Sequence, residues 1–180
     1  VGSEMCIRDR DLNRIVRSLA FVLELLVLFM LQETPGLLPH VYGARPVLVL
    51  PAAAVIAMFE EETRAMTFGV AAGLFCDFGY SGVLGFHALV MGVLCFFISL
   101  LVRTFLQVNP VTAMLTGIVA LGLAFGAQWL FFYYFHYSSP GYALRMHYLP
   151  KYLYTLIFVP LLYLLNRALA EALPGEELLP

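Results

Sequence analysis

Long apolar runs, each closed by charges or by proline and glycine, divide this chain into six segments. The first, about Ile15 to Leu31, reads IVRSLAFVLELLVLFML and ends at QETPGLLPH, where Pro35, Gly36 and Pro39 break any helix. The second, about Pro46 to Phe59, is PVLVLPAAAVIAMF and stops at Glu60, Glu61 and Glu62. The third, about Ala65 to Phe78, is AMTFGVAAGLFCDF, followed by the turn GYSG. The fourth covers about Val83 to Val102 and stops at Arg103. The fifth, about Val111 to Phe135, follows Asn109-Pro110 and closes in the aromatic cluster WLFFYYFHY. The sixth, about Tyr152 to Leu165, exits through Asn166 and Arg167.

A helix rises about 1.5 Å per residue, so a hydrocarbon core of about 30 Å takes about 20 residues. The fourth and fifth segments reach that length. The second, third and sixth are short, and must borrow flanking residues, thin the bilayer or shelter against longer neighbours. Folding the second and third into one re-entrant hairpin would leave Glu60 to Arg64 at membrane depth without evident partners, so separate passes are expected. The pattern predicts an all-α integral membrane protein, a six-span helical bundle.

Composition agrees. Apolar residues make up 62% of the chain and charged residues 12%, too little polar surface to cover a water-facing exterior. The net charge of −2 and the single lysine, Lys151, leave no basic run for nucleic acid. Cys76 and Cys95 lie inside apolar segments and are expected to be small packing residues. Residues 1–10, VGSEMCIRDR, fit none of this; back-translated, they resemble a transposon-end sequencing adapter read in frame. We expect them to be foreign, and residues 11–180 to form a single transmembrane domain.

With the N-terminus inside, Arg14, Arg17, Arg64, Arg103 and Arg167 lie on the cytoplasmic side, and Arg45, Arg145 and Lys151 outside. Both termini are then cytoplasmic. Trp129 to Tyr137 and Tyr148 to Tyr154 cluster where an interfacial aromatic belt belongs.

Candidate chemistry is sparse. Ala65, Gly69, Gly73 and Asp77 recur at four-residue spacing, a small-residue stripe that lets another helix approach, from this bundle or from a partner. Gly85 and Gly92, and Gly122 and Gly126, offer similar grooves. Asp77 is open to two readings: a functional carboxylate at membrane depth, or an acceptor for backbone N–H groups in the following turn. Glu24, in mid-segment and two turns from Arg17, should face the bundle. His87 and Gln128 are further polar residues inside spans, expected to bond between helices. The four histidines show no metal-ligand spacing, and no cofactor motif is present. GYSGVLG, Gly79 to Gly85, resembles the GxSG serine motif of rhomboid intramembrane proteases, but the sixth segment carries no histidine to act as base.

The run FGVAAGLFCDFGYSGVLGFHALVMGVLCFFISLLVR, Phe68 to Arg103, resembles the core of the MreD family of rod shape-determining membrane proteins. Arg45-Pro46 with VLVLP matches its second span, Gly73 and Asp77 its G-x-x-x-D, and Gly82, Gly85 and Ala88 its glycine turn and small-residue fourth span. The resemblance implies a non-enzymatic inner-membrane component of cell-wall elongation. Its implied partners are an MreC-like periplasmic scaffold and, indirectly, the MreB filament, the RodA glycosyltransferase and a transpeptidase that build peptidoglycan. It also implies a fold similar to the substrate-binding subunits of energy-coupling-factor vitamin transporters, whose ligand-binding role is the alternative function.

Overall fold

The computed structural model describes residues 2–39, 44–81, 84–134 and 140–172, and side chains from Leu12 onward except at 80, 81, 140 and 143. The described chain is mostly helical: α1 (Gly2–Glu33), α2 (Val49–Ile56), α3 (Glu62–Cys76), α4 (Phe86–Thr104), α5 (Pro110–Trp129), α6 (Pro140–Ala143), α7 (Leu149–Leu156) and α8 (Val159–Ala172). Wider π turns extend α3 through Asp77–Ser81 and α5 through Leu130–Tyr134, and join α6 to α7 through Leu144–Tyr148.

Four stretches are long and apolar enough to cross a membrane: Leu12–Glu33, Phe86–Thr104, Pro110–Tyr134 and Leu144–Ala172. The sixth segment is therefore longer than its apolar run suggests. It turns at Ile157 and Phe158 because Pro160, in the first turn of α8, has no N–H to continue the ladder of α7.

The second segment solves its shortness by shelter. Helix α2 has eight residues, about 12 Å of rise, and all eight are buried. It lies in the middle of the bundle, walled by α1, α3, α4, α5 and α8. Ala52, Ala53 and Ala54 keep its girth small enough for five neighbours to close around it. The Cys95 thiol touches the Ala53 carbonyl at 3.6 Å, and both Cys76 and Cys95 are buried.

A helix buried this deeply must find partners for its terminal N–H and C=O groups within the protein. The Gln32 side-chain oxygen, at the end of α1, accepts from Leu48 N at 3.0 Å and Val49 N at 3.5 Å. Thr155 Oγ1, on α7, accepts from Val47 N at 3.1 Å. At the other end Arg17 Nη2 donates to the Phe59 carbonyl at 2.6 Å, and Ser99 Oγ to the Glu60 carbonyl at 2.6 Å. Gln32 thus serves the start of α2, while Thr155, Arg17 and Ser99 serve the chain that flanks it, and backbone N–H groups of residues 57–59 take up carbonyls of its last turn.

Direction follows from these contacts. Arg17 midway along α1, the α2–α3 loop, the end of α4, and Tyr163 and Arg167 of α8 share one end of the bundle. Gln32, the start of α2, the α3–α4 turn and the aromatic end of α5 share the other. There Phe86 packs edge-on against Phe131 and Phe132, and Tyr133 against Tyr148. Residues 135–137 of the expected belt lie outside the described set.

The lipid-facing and central positions should respond oppositely to substitution. Ala53→Leu overfills the packed centre and is expected to cost about 1–3 kcal/mol, seen as a lower melting temperature in detergent. Leu23→Ala, at a position 62% exposed, should leave that temperature within a degree or two.

Candidate functional site

The α3–α4 hairpin is built on the small-residue stripe. Gly69 and Gly73 lie one turn apart on α3, and α4 packs against them with no space for a side chain. A Cβ on Gly69 would sit 2.5 Å from the Met91 carbonyl oxygen and 2.8 Å from Cys95 Sγ. A Cβ on Gly73 would run into the backbone of His87 and Ala88. The stripe is taken up inside the chain, and this face has no room for the helix of a partner.

Asp77 extends the stripe into the π turn, where its carboxylate meets the start of α4. Gly85 N–H donates to Oδ2 at 2.8 Å and Ala88 N–H to the same oxygen at 3.3 Å. His87 N–H donates to Oδ1 at 3.1 Å, and the His87 ring closes the cluster with Nδ1 2.8 Å from Oδ1. Both side chains are buried. Of the two readings of Asp77, the geometry is that of the cap, reaching across from the preceding helix. A carboxylate there answers orphan N–H groups and the positive end of the helix dipole together. Gly85 opens α4 at φ +94°, a left-handed conformation that favours glycine. Gly82 lies outside the described residues, as does the side chain of Ser81 in the GxSG stretch.

At the opposite end, three consecutive glutamates meet four arginines. Glu60 is shared: Arg17 Nε lies 2.7 Å from Oε1, and Arg64 Nη1 3.2 Å from Oε2. Arg14 meets Glu61 at 3.4 Å, and Arg103 meets Glu62 at 2.9 Å. The Arg17–Glu60 pair is almost fully withdrawn from solvent, with side chains 10% and 3% exposed. Removing one member of such a pair strands the other, at a cost of about 3–5 kcal/mol. Glu60 to Arg64 therefore sit at the bundle's end, tied to α1 and α4.

This arrangement, a bundle whose glycine hairpin and carboxylate cap stand over residues 68–103, lies within a longer match: the family model of the rod shape-determining protein MreD aligns with residues 11–171. The chain belongs to the MreD family. It is a helical membrane protein of the cell-shape class. No curated protein and no solved structure matches it.

Three polar side chains lie inside the MreD-family bundle away from both ends' networks. Glu24 faces α8: Asn166 Nδ2 donates to its Oε1 at 2.8 Å and to the Leu162 carbonyl at 2.9 Å. The second oxygen of Glu24 and Oδ1 of Asn166 are buried without a hydrogen-bond partner among the described residues. Gln128 Oε1, on α5, is in the same position.

Sequence reasoning missed Gln32, Thr155, Ser99 and Asn166, the side chains that hold α2 and Glu24. A polar residue at the end of an apolar run reads as ordinary interface. Only the count of unsatisfied groups at both ends of a short buried segment pointed to such partners.

Two substitutions separate the close contact from mere glycine content. Gly73→Ala should destabilise by about 1–3 kcal/mol, since the new methyl meets backbone that cannot swing aside. Gly126→Ala, where a Cβ meets nothing within 4 Å, should be neutral or slightly stabilising. At Asp77, Ala should cost about 0.5–2 kcal/mol for the lost cap, and Asn, which keeps an acceptor, clearly less. Thermal unfolding in detergent, followed by circular dichroism, checks all four variants.

Proposed function

We propose that this protein is a non-catalytic component of the bacterial sidewall elongation complex, seated in the cytoplasmic membrane beside an MreC-like periplasmic scaffold. Through that scaffold it would act with the MreB filament, RodA and a transpeptidase. The observation that carries the reading is the MreD family match over residues 11–171. The use of the polar side chains supports a structural role. Asp77 is engaged in capping α4, Glu60 in tying α1 to the α2–α3 loop, and Gln32 in holding the start of α2.

Both termini are proposed to be cytoplasmic. Arg14, Arg17, Arg64, Arg103 and Arg167 gather toward one end of the bundle, and an excess of arginine marks the cytoplasmic side. A reporter active only in the periplasm should be silent when fused after Pro180 and active when inserted between residues 137 and 150. Strong activity at Pro180 would overturn this orientation.

The function is tested in a rod-shaped bacterium depleted of its own MreD. Expression of residues 11–180 should restore rods, and the scaffold should co-purify with it. Round cells with the protein present in the membrane, and no scaffold recovered, would overturn the reading. Recovery of ATPase subunits together with a tightly held small molecule would support the vitamin-transporter alternative instead.

A further inference from the structure

Glu24 is a carboxylate near the middle of the first membrane-crossing stretch, Leu12–Glu33. It lies two helical turns, about 10 Å, inward of Arg17 along α1. Phe21, one turn before it, and Leu25, next to it in the chain, are fully buried, as Leu162 and Tyr163 of α8 nearly are. No cation answers Glu24 among the described residues. Arg17 is taken by Glu60 and the Phe59 carbonyl, and Arg167, one residue beyond Asn166, by Glu171. Tyr163 donates its hydroxyl to the Val108 carbonyl, α2 carries no titratable side chain, and Glu62 and Arg64 of α3 pair at the bundle's end with Arg103 and Glu60. An ionised carboxylate in such a place is expensive, and a proton removes the cost.

The hydrogen bonds around the pair say where that proton sits. Asn166 is fully buried, and both N–H groups of its amide are spent: one donates to Glu24 Oε1 at 2.8 Å, the other to the Leu162 carbonyl at 2.9 Å. Two acceptors are left over, Glu24 Oε2 and Asn166 Oδ1, each buried and each without a donor among the described residues. An ionised carboxylate only accepts, so it cannot serve Oδ1. A single proton on Oε2 settles both oxygens, because the acid then donates one bond and accepts another, and a primary amide offers the same two in reverse. Exchanging the amide's oxygen and nitrogen would set oxygen against oxygen at both Glu24 Oε1 and the Leu162 carbonyl.

We propose that Glu24 is a proton-binding site inside the bundle, carrying a proton on Oε2 at neutral pH and pairing as an acid with the Asn166 amide. Two bonds make the pair, Nδ2–H to Oε1 and Oε2–H to Oδ1. It fastens α1 to α8, the first and last helices, with no net charge in the hydrocarbon. Loss of the proton leaves a charged carboxylate facing the amide oxygen, so this seam holds only while the proton is bound. The pair is independent of the Asp77 cap and of the arginine–glutamate network.

The test uses the full chain, reconstituted in lipid nanodiscs at neutral pH, and reads the carboxyl by infrared difference spectroscopy of wild type against Glu24→Gln. The wild type should show the C=O stretch of a protonated carboxyl, absent from Glu24→Gln and moved to lower wavenumber in heavy water. Carboxylate bands in its place would overturn the proposal and leave the two oxygens to a bridging water. Replacing sodium by choline in the buffer should change neither the band nor the melting temperature. Loss of stability without sodium would reject the proton in favour of a metal ion shared by the two oxygens. Asn166→Leu removes both bonds, so the carboxyl band should move to higher wavenumber and the melting temperature should fall. An unmoved band would separate the acid from Asn166 and overturn the pairing. Should Asn166→Leu fail to fold, Glu24→Gln still decides, since glutamine accepts and donates as the acid does and should melt with the wild type. A clear drop in its melting temperature would mean that α8 needs the charge of Glu24, and would overturn the proposal.

Discussion

The backbone of α2 sets the terms for the rest of the molecule. A helix of eight residues cannot cross a bilayer, and its unpaired end groups cannot be left in hydrocarbon. The bundle resolves both problems by burying α2 and bringing side chains to its ends. Gln32 and Thr155 accept from the N–H groups at its start, and Arg17 and Ser99 donate to the carbonyls beyond its finish. Those four residues come from α1, α7 and α4, so satisfying one short helix and its flanks ties three surrounding elements to it. Their polar groups are costly in an apolar setting and serve because each has its partner.

The hairpin of α3 and α4 solves a related problem with different means. Glycine at 69 and 73 removes the side chains that would hold the backbones apart, so dispersion contacts act at short range. Close approach brings the end of α3 within reach of the start of α4, and Asp77 then caps its neighbour. Packing and capping are coupled: widening the hairpin at Gly73 would also draw the carboxylate away from the N–H groups it serves.

In this member of the MreD family, polar side chains hold both ends of the bundle. Each end of the bundle is clamped by buried polar groups, the arginine–glutamate network at one and the Asp77–His87 cluster at the other. Between them the outer surface is apolar, with α1, α4, α5 and α8 presenting leucine, valine and phenylalanine to their surroundings. Such an apolar girdle suits a bundle embedded in the membrane.

The helical membrane character, the order of the apolar segments and the family were legible in the amino-acid order, because apolar run length and glycine spacing are local properties. So was the capping option for Asp77, since a carboxylate before a glycine turn has few other uses. The glutamate run at 60–62 read only as a stop. Its arginine partners at 14, 17 and 103 are more than 40 positions away, and no local pattern pairs them. Likewise, which helix filled the Gly69–Gly73 face was undecided in one dimension, since a small residue invites any neighbour. Tertiary structure assigned that neighbour as α4. It also made one of the three short apolar segments the centre of the bundle, because only there can its own length cease to matter.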